Sequence, residues 1–253
     1  MARVTVVINQ KGGVGKTTTA HALATGLLKR GSSVLVIDTD PQGNISNSMQ
    51  ADVNVKGLYE AMKEESPAKE VIQHTPQGDI MPSTLLLTAA DMEFTQTGRE
   101  FILDNVLENV KNNYDYIIID SPPQLGILTI NALVASDDII IPMTADIYSL
   151  QGLNQLYSTI TKVRKFCKKN IVIAGLLLTR HDDRIILSRD LREAIENKAK
   201  EFNSILYDTV IRNGVSIREA QTARQSIFDY APKSNQAVDY MNFITEYVKR
   251  ERY

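Results

Sequence analysis

A glycine-rich segment near the amino terminus constrains this chain more than any other feature. It reads Gln10-Lys11-Gly12-Gly13-Val14-Gly15-Lys16-Thr17-Thr18. Residues 4–8 before it are β-branched and apolar, as in a buried parallel strand, and residues 20–24 after it have the composition of a helix. Because glycines lack a Cβ, their backbone N–H groups can approach an anion closely, and the start of a helix adds partial positive charge. The segment therefore predicts a loop that binds nucleotide phosphates between a strand and a helix.

Two lysines give this loop its character. Lys16 is placed to reach the β- and γ-phosphates, and Thr17 supplies a hydroxyl for Mg²⁺. The usual pattern is Gly-x-x-x-x-Gly-Lys-Thr, whereas here Gln10 holds the first position and an extra lysine, Lys11, precedes the paired glycines. With average residue frequencies, such a lysine-flanked pattern arises by chance in fewer than ~1 in 1,000 chains of this length. A simple glycine-rich turn is therefore a poor explanation.

Composition excludes several classes of protein. The 253 residues are enough for one large α/β domain, and 43% hydrophobic with 23% charged residues argues against a disordered or fibrous chain. The chain has no run of 18 apolar residues and no signal-peptide pattern, so we expect a cytoplasmic location. Cys167 is the only cysteine, which excludes an internal disulfide and a multi-cysteine zinc or iron–sulfur site within one chain. At a net charge of −2, contact with nucleic acid would need a local basic patch.

Two later strands end in acidic residues. Residues 33–37 lead into Asp38-Thr39-Asp40-Pro41-Gln42-Gly43-Asn44, and residues 114–119 lead into Asp120-Ser121-Pro122-Pro123. A doubly wound sheet carries its chemistry at the carboxyl ends of its strands. The context of Asp120 is typical of an aspartate that positions Mg²⁺. A phosphate loop, an acid after the second strand and an acid at a strand end are together the parts that a nucleotide hydrolase needs.

The alternation of strand and helix patterns predicts the fold class α/β, with a doubly wound, mostly parallel sheet and helices on both faces, formed by residues 1–253 as a single domain. Residues 45–110 are less regular, with short helical pieces near 57–63, 85–96 and 100–110. Further strands are predicted at 138–142, 171–178 and 206–211. Further helices are predicted at 125–135, 150–168, 187–202 and 235–249.

The phosphate loop and the two acidic segments together resemble the deviant-Walker ATPases of the ParA/Soj partitioning group, within the wider ParA/MinD family. Residues 141–146, 150–153 and 175–180 are also similar to that group, so the resemblance covers nearly the whole chain. It implies the P-loop NTPase fold, ATP and Mg²⁺ as cofactors, and a homodimer that encloses ATP.

The resemblance also implies roles for single residues. Lys11 corresponds to the signature lysine, which in this family crosses a dimer interface to touch the partner's nucleotide phosphates; the plainer alternative is a solvated lysine beside the loop. Lys16 and Thr17 match the phosphate and Mg²⁺ residues. Asp40 matches the acid that orients or activates the attacking water, although an aspartate here could also serve only as a helix cap or turn residue. Phosphoryl transfer needs charge neutralisation and an in-line water, which these groups supply.

Three further assignments concern the metal and the base. Asp120 matches the Walker-B position and is expected to hold Mg²⁺ through water. Asp38 is either a second-shell Mg²⁺ partner or purely structural. In the family a Pro-Arg-Asn stretch after a late strand helps to hold the adenine, whereas here residues 211–214 read Ile-Arg-Asn-Gly without the proline. By this resemblance, Arg212 and Asn213 are expected to contact the adenine.

DNA binding is the second implication. ParA-like ATPases without an amino-terminal helix-turn-helix domain bind nonspecific DNA as ATP dimers, and this chain is expected to belong to that short form. Phosphate contacts need only the reach of a cation and no base code. The alternative is a solvated charged helix face. The candidate DNA-binding residues are Arg189, Arg218, Lys162, Arg164, Lys165 and Arg192. A ParB-like centromere-binding partner would stimulate hydrolysis and release, so that the protein is nucleoid-associated when ATP-bound.

Rival interpretations stay open. The last helix places Val238, Met241, Ile244 and Val248 near one face, which indicates either core packing or a membrane-targeting helix of the MinD type. The latter would make the chain a membrane-cycling spatial regulator, although we expect no stable membrane association. A nucleotide-switched interaction module with negligible turnover is another possibility. A nitrogenase-reductase-like electron carrier is disfavoured, because two chains supply two copies of Cys167 where a bridging cluster needs four thiolates.

Overall fold

The computed structural model describes residues 1–168, 170–181 and 189–250. Within these residues, eight strands form one sheet, with the following bounds: β1 (Arg3–Val7), β2 (Val34–Asp38), β3 (Gln73–Thr75), β4 (Gly78–Met81), β5 (Tyr116–Asp120), β6 (Asp138–Met143), β7 (Val172–His181) and β8 (Leu206–Arg212). Their order across the sheet is β3-β4-β2-β5-β1-β6-β7-β8. All neighbouring strands are parallel except β3, which pairs with β4 in the antiparallel direction.

The central strands are apolar on both sides, as is typical of a parallel sheet. β2 is buried along its whole length, and Ile117, Ile118 and Ile119 of β5 are fully buried. Strands of this kind need helices on both faces of the sheet. β1 lies between β5 and β6, with Val7 in register with Asp120, and Asp38 is in register with Asp120 on the other side of β5. The carboxyl ends of β2, β5 and β1 therefore bring the acidic segments beside the glycine-rich loop.

The α-helices of the described residues are α1 (Lys16–Lys29), α2 (Asn44–Ser48), α3 (Leu58–Met62), α4 (Ala68–Val71), α5 (Ala90–Glu93), α6 (Ile102–Glu108), α7 (Ile127–Ala135), α8 (Ile147–Phe166), α9 (Arg189–Glu201), α10 (Val215–Thr222), α11 (Ile227–Tyr230) and α12 (Asn235–Arg250). One face of the sheet is covered by α1 and α12, which bury Leu23 and Phe243 among other side chains. The other face is covered by helices that include α6, α7, α8 and α9. The predicted doubly wound α/β fold is confirmed.

The sequence interpretation was wrong in the region after β2. It expected only short helices over residues 45–110, but the chain also forms the hairpin of β3 and β4, and β4 extends the parallel sheet beside β2. These strands have three and four residues, too few to show a period of two. The prediction also missed α10 and α11. The predicted helix at 187–202 begins outside the described residues, and its described part is α9.

The apolar stripe on α12 belongs to the core. Ile244 is buried, Met241 and Val248 pack partly buried against the cluster that contains α1, and Val238 is exposed. This placement favours core packing over a membrane-targeting face. Among the described residues, none of the helices combines the length and apolar character needed to cross a bilayer.

Candidate nucleotide site

A cavity of about 640 Å³ lies at the carboxyl edge of the sheet. One end, here called the phosphate end, comprises residues 10–18 together with Asp38, Asp40 and Asp120, some of which line the cavity while the others lie beside it. The other, here called the base end, consists of residues 211–214 after β8. The cavity wall includes the predicted residues Gly12, Gly13, Gly15, Lys16, Thr17, Thr18, Asp40, Arg212, Asn213 and Arg218. Val14 is buried behind this wall.

The loop after β1 has a shape that depends on glycine. Gly13 and Gly15 have φ values of 73° and 87°, in the left-handed region that other residues adopt only at a cost. Gly15 is the residue before the first helical position, Lys16, and its carbonyl accepts the first helical hydrogen bond, from Thr19. The start of α1 thus lies at the cavity wall with unsatisfied backbone N–H groups, which makes it an anion site.

Lys16 is a buried cation, with 8% of its surface exposed. Burial lowers the pKa of its ammonium group, and the nearby carboxylates of Asp120 and Asp40 oppose that change. In the described structure it makes no hydrogen bond or ion pair with a carboxylate. A triphosphate in the cavity would supply the anionic partner that the side chain lacks.

Asp120 fits a divalent cation. It is fully buried, and neither carboxylate oxygen receives a hydrogen bond of normal geometry from the described residues. Burial raises its pKa well above the usual range, the charge of Asp38 adds to this, and the adjacent Thr17 hydroxyl acts in the opposite sense. Among the described residues there is no cluster of three or more His, Cys, Asp or Glu side chains that could hold a metal. An ion at Asp120 and Thr17 would therefore take its other ligands from phosphate and water, as Mg²⁺ commonly does.

Asp38 makes contacts that favour a structural role. Its Oδ1 accepts a hydrogen bond of 3.1 Å from the Asp40 backbone, and its Oδ2 accepts bonds of 3.0 and 2.6 Å from the backbone and hydroxyl of Ser46. Burial raises the pKa of Asp38 to about 7, although these hydrogen bonds act to lower it. The Ser46 hydroxyl also accepts a bond from the Ser83 backbone. Asp38 therefore ties the loop that carries Asp40 to α2 and to the end of β4.

Asp40 is held in the cavity wall by its own turn. Its Oδ1 accepts a 3.0 Å hydrogen bond from the Gln42 backbone, and its carbonyl accepts one from Gly43. Among the described residues, Oδ2 receives no hydrogen bond. The turn geometry and a role at the cavity are thus compatible, because one oxygen shapes the loop and the other remains available.

Lys11 lies outside the cavity wall and faces the start of α8. Its Nζ lies 2.7 Å from Asp146 Oδ2, 3.2 Å from Ser149 Oγ and 3.3 Å from Thr144 Oγ1. Partial burial would raise the pKa of Asp146, but the hydrogen bonds from Lys11, Thr144 and Ser149 hold it below the usual range. Lys11 is therefore ion-paired within its own chain, rather than simply solvated.

At the base end, the charged side chain is already paired within the chain. The guanidinium of Arg212 donates from Nε and Nη2 to the two oxygens of Asp239, at 2.9 and 2.6 Å. Asn213 is exposed; its backbone N–H donates to the His181 carbonyl at 2.6 Å, and its carbonyl accepts from Gln236. Both predicted adenine residues line the cavity, but Arg212 serves first to hold the backbone of this loop in place.

Two residues that the sequence interpretation left without a role connect the loop to β7. The Thr179 hydroxyl donates to the Val14 carbonyl at 2.7 Å, and Nη1 of Arg180 donates to the Gly13 carbonyl at 2.9 Å. The segment 175–180 had drawn attention through family likeness alone. Nothing in its local pattern indicates that it reaches the phosphate loop, since the contact is made across the sheet.

The predicted DNA-binding residues are distributed over α8, α9 and α10. Arg218 is exposed in the cavity wall. Lys162, Arg164 and Lys165 lie near the end of α8, whose 20 residues span about 30 Å from the Lys11 contact, and Arg164 bonds to the Ile171 carbonyl before β7. Arg192 pairs with Glu196 on α9. The side chain of Arg189 lies outside the described residues.

Comparisons with known proteins identify the family. A family model described as an AAA domain matches residues 2–173. The chain is 40% identical over 252 residues to the sporulation initiation inhibitor protein Soj of Bacillus subtilis (strain 168), covering 97% of this chain and 98% of that protein. It is 35% identical to the chromosome partitioning protein ParA of Caulobacter vibrioides (strain NA1000 / CB15N), covering 99% and 95%. The chain belongs to the ParA/Soj family of AAA-domain ATPases.

The fold likeness extends to solved structures. Cobyrinic acid a,c-diamide synthase from Mycobacterium smegmatis, solved with a bound ATP analog and magnesium, has a TM-score of 0.85 and 29% sequence identity to this chain. The match covers 97% of this chain and 93% of that one. As a member of the ParA/Soj family, this chain is an ATP hydrolase.

Proposed function

We propose that this ATPase partitions DNA. It binds ATP and Mg²⁺, forms a homodimer across the nucleotide and binds nonspecific DNA in that state. Hydrolysis, stimulated by a ParB-like centromere-binding partner, then releases it. The observation that carries the proposal is the position of Lys11, which belongs to the phosphate loop yet points away from its own cavity to an ion pair at the rim. A lysine so placed is suited to a nucleotide bound by a second copy.

The phosphate end supplies the groups for hydrolysis. Lys16 and the N–H groups at the start of α1 would neutralise a bound triphosphate, and Asp120 with Thr17 would hold the metal. Bound Mg²⁺ would withdraw charge from the phosphate oxygens. Asp40 Oδ2 accepts a hydrogen bond from the water that attacks the γ-phosphate and keeps it in line. The residues therefore act by position and charge, without a covalent intermediate on the protein.

Exposed apolar side chains near the same edge of the sheet support dimerisation. Leu85 and Met92 follow β4 and are 77% and 78% exposed, and Tyr148, two residues beyond Asp146, is 76% exposed. Each is a large apolar side chain whose exposure would be reduced if another molecule covered this edge of the sheet. A second copy that meets the rim of the cavity would cover them while receiving Lys11.

Arg218 supports binding of DNA near the cavity. It is exposed in the cavity wall, so a nucleotide and a DNA phosphate could both influence the loop after β8. A chain with a net charge of −2 gains attraction for DNA when a local basic site is doubled by dimerisation. On this proposal the protein works in the cytoplasm as one domain and associates with the nucleoid when ATP-bound.

The test is binding to an arbitrary DNA duplex with ATP–Mg²⁺ and with ADP–Mg²⁺ across a salt series. We expect binding in the ATP state, weakened by salt, because phosphate contacts release counterions. The double variant Arg189→Ala/Arg218→Ala should lose affinity and flatten the salt slope. The double variant Lys162→Ala/Lys165→Ala removes two basic residues near the end of α8 and should reduce the DNA affinity less. Comparison of the two double variants shows which set of basic residues contacts DNA.

Two outcomes would redirect the proposal. Absence of DNA binding by the wild type in the ATP state would overturn the partitioning role while leaving the ATPase intact, and vesicle binding would then be measured. A loaded dimer that shows no turnover with DNA would instead favour a nucleotide-switched interaction module.

A further inference from the structure

Arg180 lies in the cavity wall, between the phosphate end and the base end. Its side chain is exposed, and Nη1 donates a 2.9 Å hydrogen bond to the Gly13 carbonyl. Within the part of the chain that the structure describes, this carbonyl is its hydrogen-bond partner and no carboxylate pairs with it. A guanidinium group is therefore exposed in the wall of a nucleotide site, and no carboxylate pairs with it among the described residues.

The backbone at Arg180 is held in an uncommon conformation. Its φ is 55°, in the left-handed region that non-glycine residues rarely adopt. The residues on either side fix it there, since the Thr179 hydroxyl bonds to the Val14 carbonyl and the His181 carbonyl accepts a bond from the Asn213 backbone. Residues 179–181 thus connect the phosphate loop to the base end, and strain of this kind tends to persist where a site requires it.

Arg212, the arginine predicted for the base, is engaged differently. Both of its donor nitrogens that face Asp239 are used in a bidentate pair, and its backbone N–H bonds to the same carboxylate at 3.0 Å. Contact with a base would require this pair to give up part of its geometry. Arg180 meets no such competition among the described residues.

We propose that Arg180 contacts the nucleotide directly, by stacking its guanidinium plane on the adenine ring while Nη1 stays on the Gly13 carbonyl. Arginine suits this position because its planar cation stacks on aromatic faces and keeps in-plane donors for a carbonyl at the same time. The Gly13 contact fixes the group at the junction of base and phosphates. The inference rests on ATP binding by this chain and is independent of the proposed DNA cycle.

Calorimetric titration with two ligands tests the stacking. The wild type and Arg180→Ala are titrated with ATP–Mg²⁺ and with inorganic tripolyphosphate, which carries the charge but no base. The loss of a cation–π contact should weaken ATP binding about five- to tenfold, and tripolyphosphate binding less than twofold. Arg180→Lys, which keeps a donor and a charge but no plane, should bind ATP with intermediate affinity.

Arg224→Ala is the matched control. Arg224 is also exposed and left-handed, with φ 50°, but lies outside the cavity wall, where its backbone carbonyl accepts bonds from Gln50 and Gln77. Its replacement should change neither affinity more than twofold.

Unchanged ATP affinity in Arg180→Ala would overturn the proposal. An equal loss for both ligands would also overturn it, because the arginine would then act only through the phosphate loop. Thermal unfolding confirms that the variants are folded, and Arg180→Lys carries the test if Arg180→Ala is not. If the wild type bound neither ligand, the assignment of the nucleotide site would be wrong, and the proposal for Arg180 would be overturned with it.

Discussion

At the phosphate end of the cavity, charged side chains are buried without full partners, whereas at the base end the charged side chain is already paired within the chain. Among the described residues, Lys16 makes no hydrogen bond to a carboxylate, and neither carboxylate oxygen of Asp120 receives a hydrogen bond of normal geometry. Arg212, in contrast, is held by Asp239 through two side-chain bonds. The difference teaches that groups awaiting a charged ligand stay unsatisfied in the free protein, while groups that shape a loop are satisfied by the protein itself.

The sharpest test of this contrast is Lys16→Ala. Loss of the buried cation leaves the triphosphate without its main neutralising group, so ATP–Mg²⁺ affinity should fall at least ~100-fold by titration calorimetry. Lys29→Ala is the control, because Lys29 ends the same helix α1 and pairs on the surface with Asp229. A folded Lys16→Ala protein with unchanged affinity would contradict the assignment of the phosphate end.

Asp40→Ala separates binding from turnover within the phosphate end. The variant should keep ATP binding and dimerisation while steady-state phosphate release falls about 100-fold, since the attacking water loses its acceptor. Asp40→Asn retains an oxygen for the Gln42 backbone and distinguishes loss of charge from loss of the turn. Hydrolysis at the wild-type rate in both variants would remove Asp40 from the mechanism.

A smaller effect is expected away from both ends, at the hydrogen bonds that join α1 to the turn between β3 and β4. His21 on α1 bonds to Gln77, which in turn donates to the Ser48 and Arg224 carbonyls. Burial lowers the pKa of His21 from 6.5 to about 4. Between those values the unfolded chain takes up a proton that the folded chain does not, so the contribution of His21 to stability is full above pH 6.5 and is lost as the pH falls toward 4.

Urea unfolding at about pH 7.5 and pH 5 measures this contribution. His21→Gln keeps a donor for Gln77 and should reduce the loss of unfolding free energy between the two pH values by about 2 kcal/mol. Asp38, whose pKa burial raises to about 7, affects both proteins equally and cancels in the difference. His74→Gln, at a side chain that is 80% exposed, is the control. Identical pH profiles for wild type and His21→Gln would refute the prediction.

The sequence predicted some parts of the fold and the site and missed others. The phosphate loop, Asp40 and Asp120 lie in short contiguous segments at strand ends, and parallel pairing necessarily brings such ends to one edge of the sheet. The hairpin of β3 and β4 was not predicted, because strands of three and four residues are too short to show an alternation of apolar and polar side chains. In the sequence, the basic candidates on α8 could not be distinguished from Arg218, because each is only a positive charge. The structure distinguishes them, because the length of α8 carries its candidates away from the Lys11 contact.

By itself the sequence determined the fold class, the phosphate loop and the acids that face it, because each depends on neighbours along the chain or on the order of strands. Tertiary structure alone decided that Lys11 pairs with Asp146, that Asp38 ties its loop to Ser46, and that Arg180 reaches Gly13. These contacts join groups from segments that are distant along the chain. Their partners are selected by packing distances, which residue spacing does not encode.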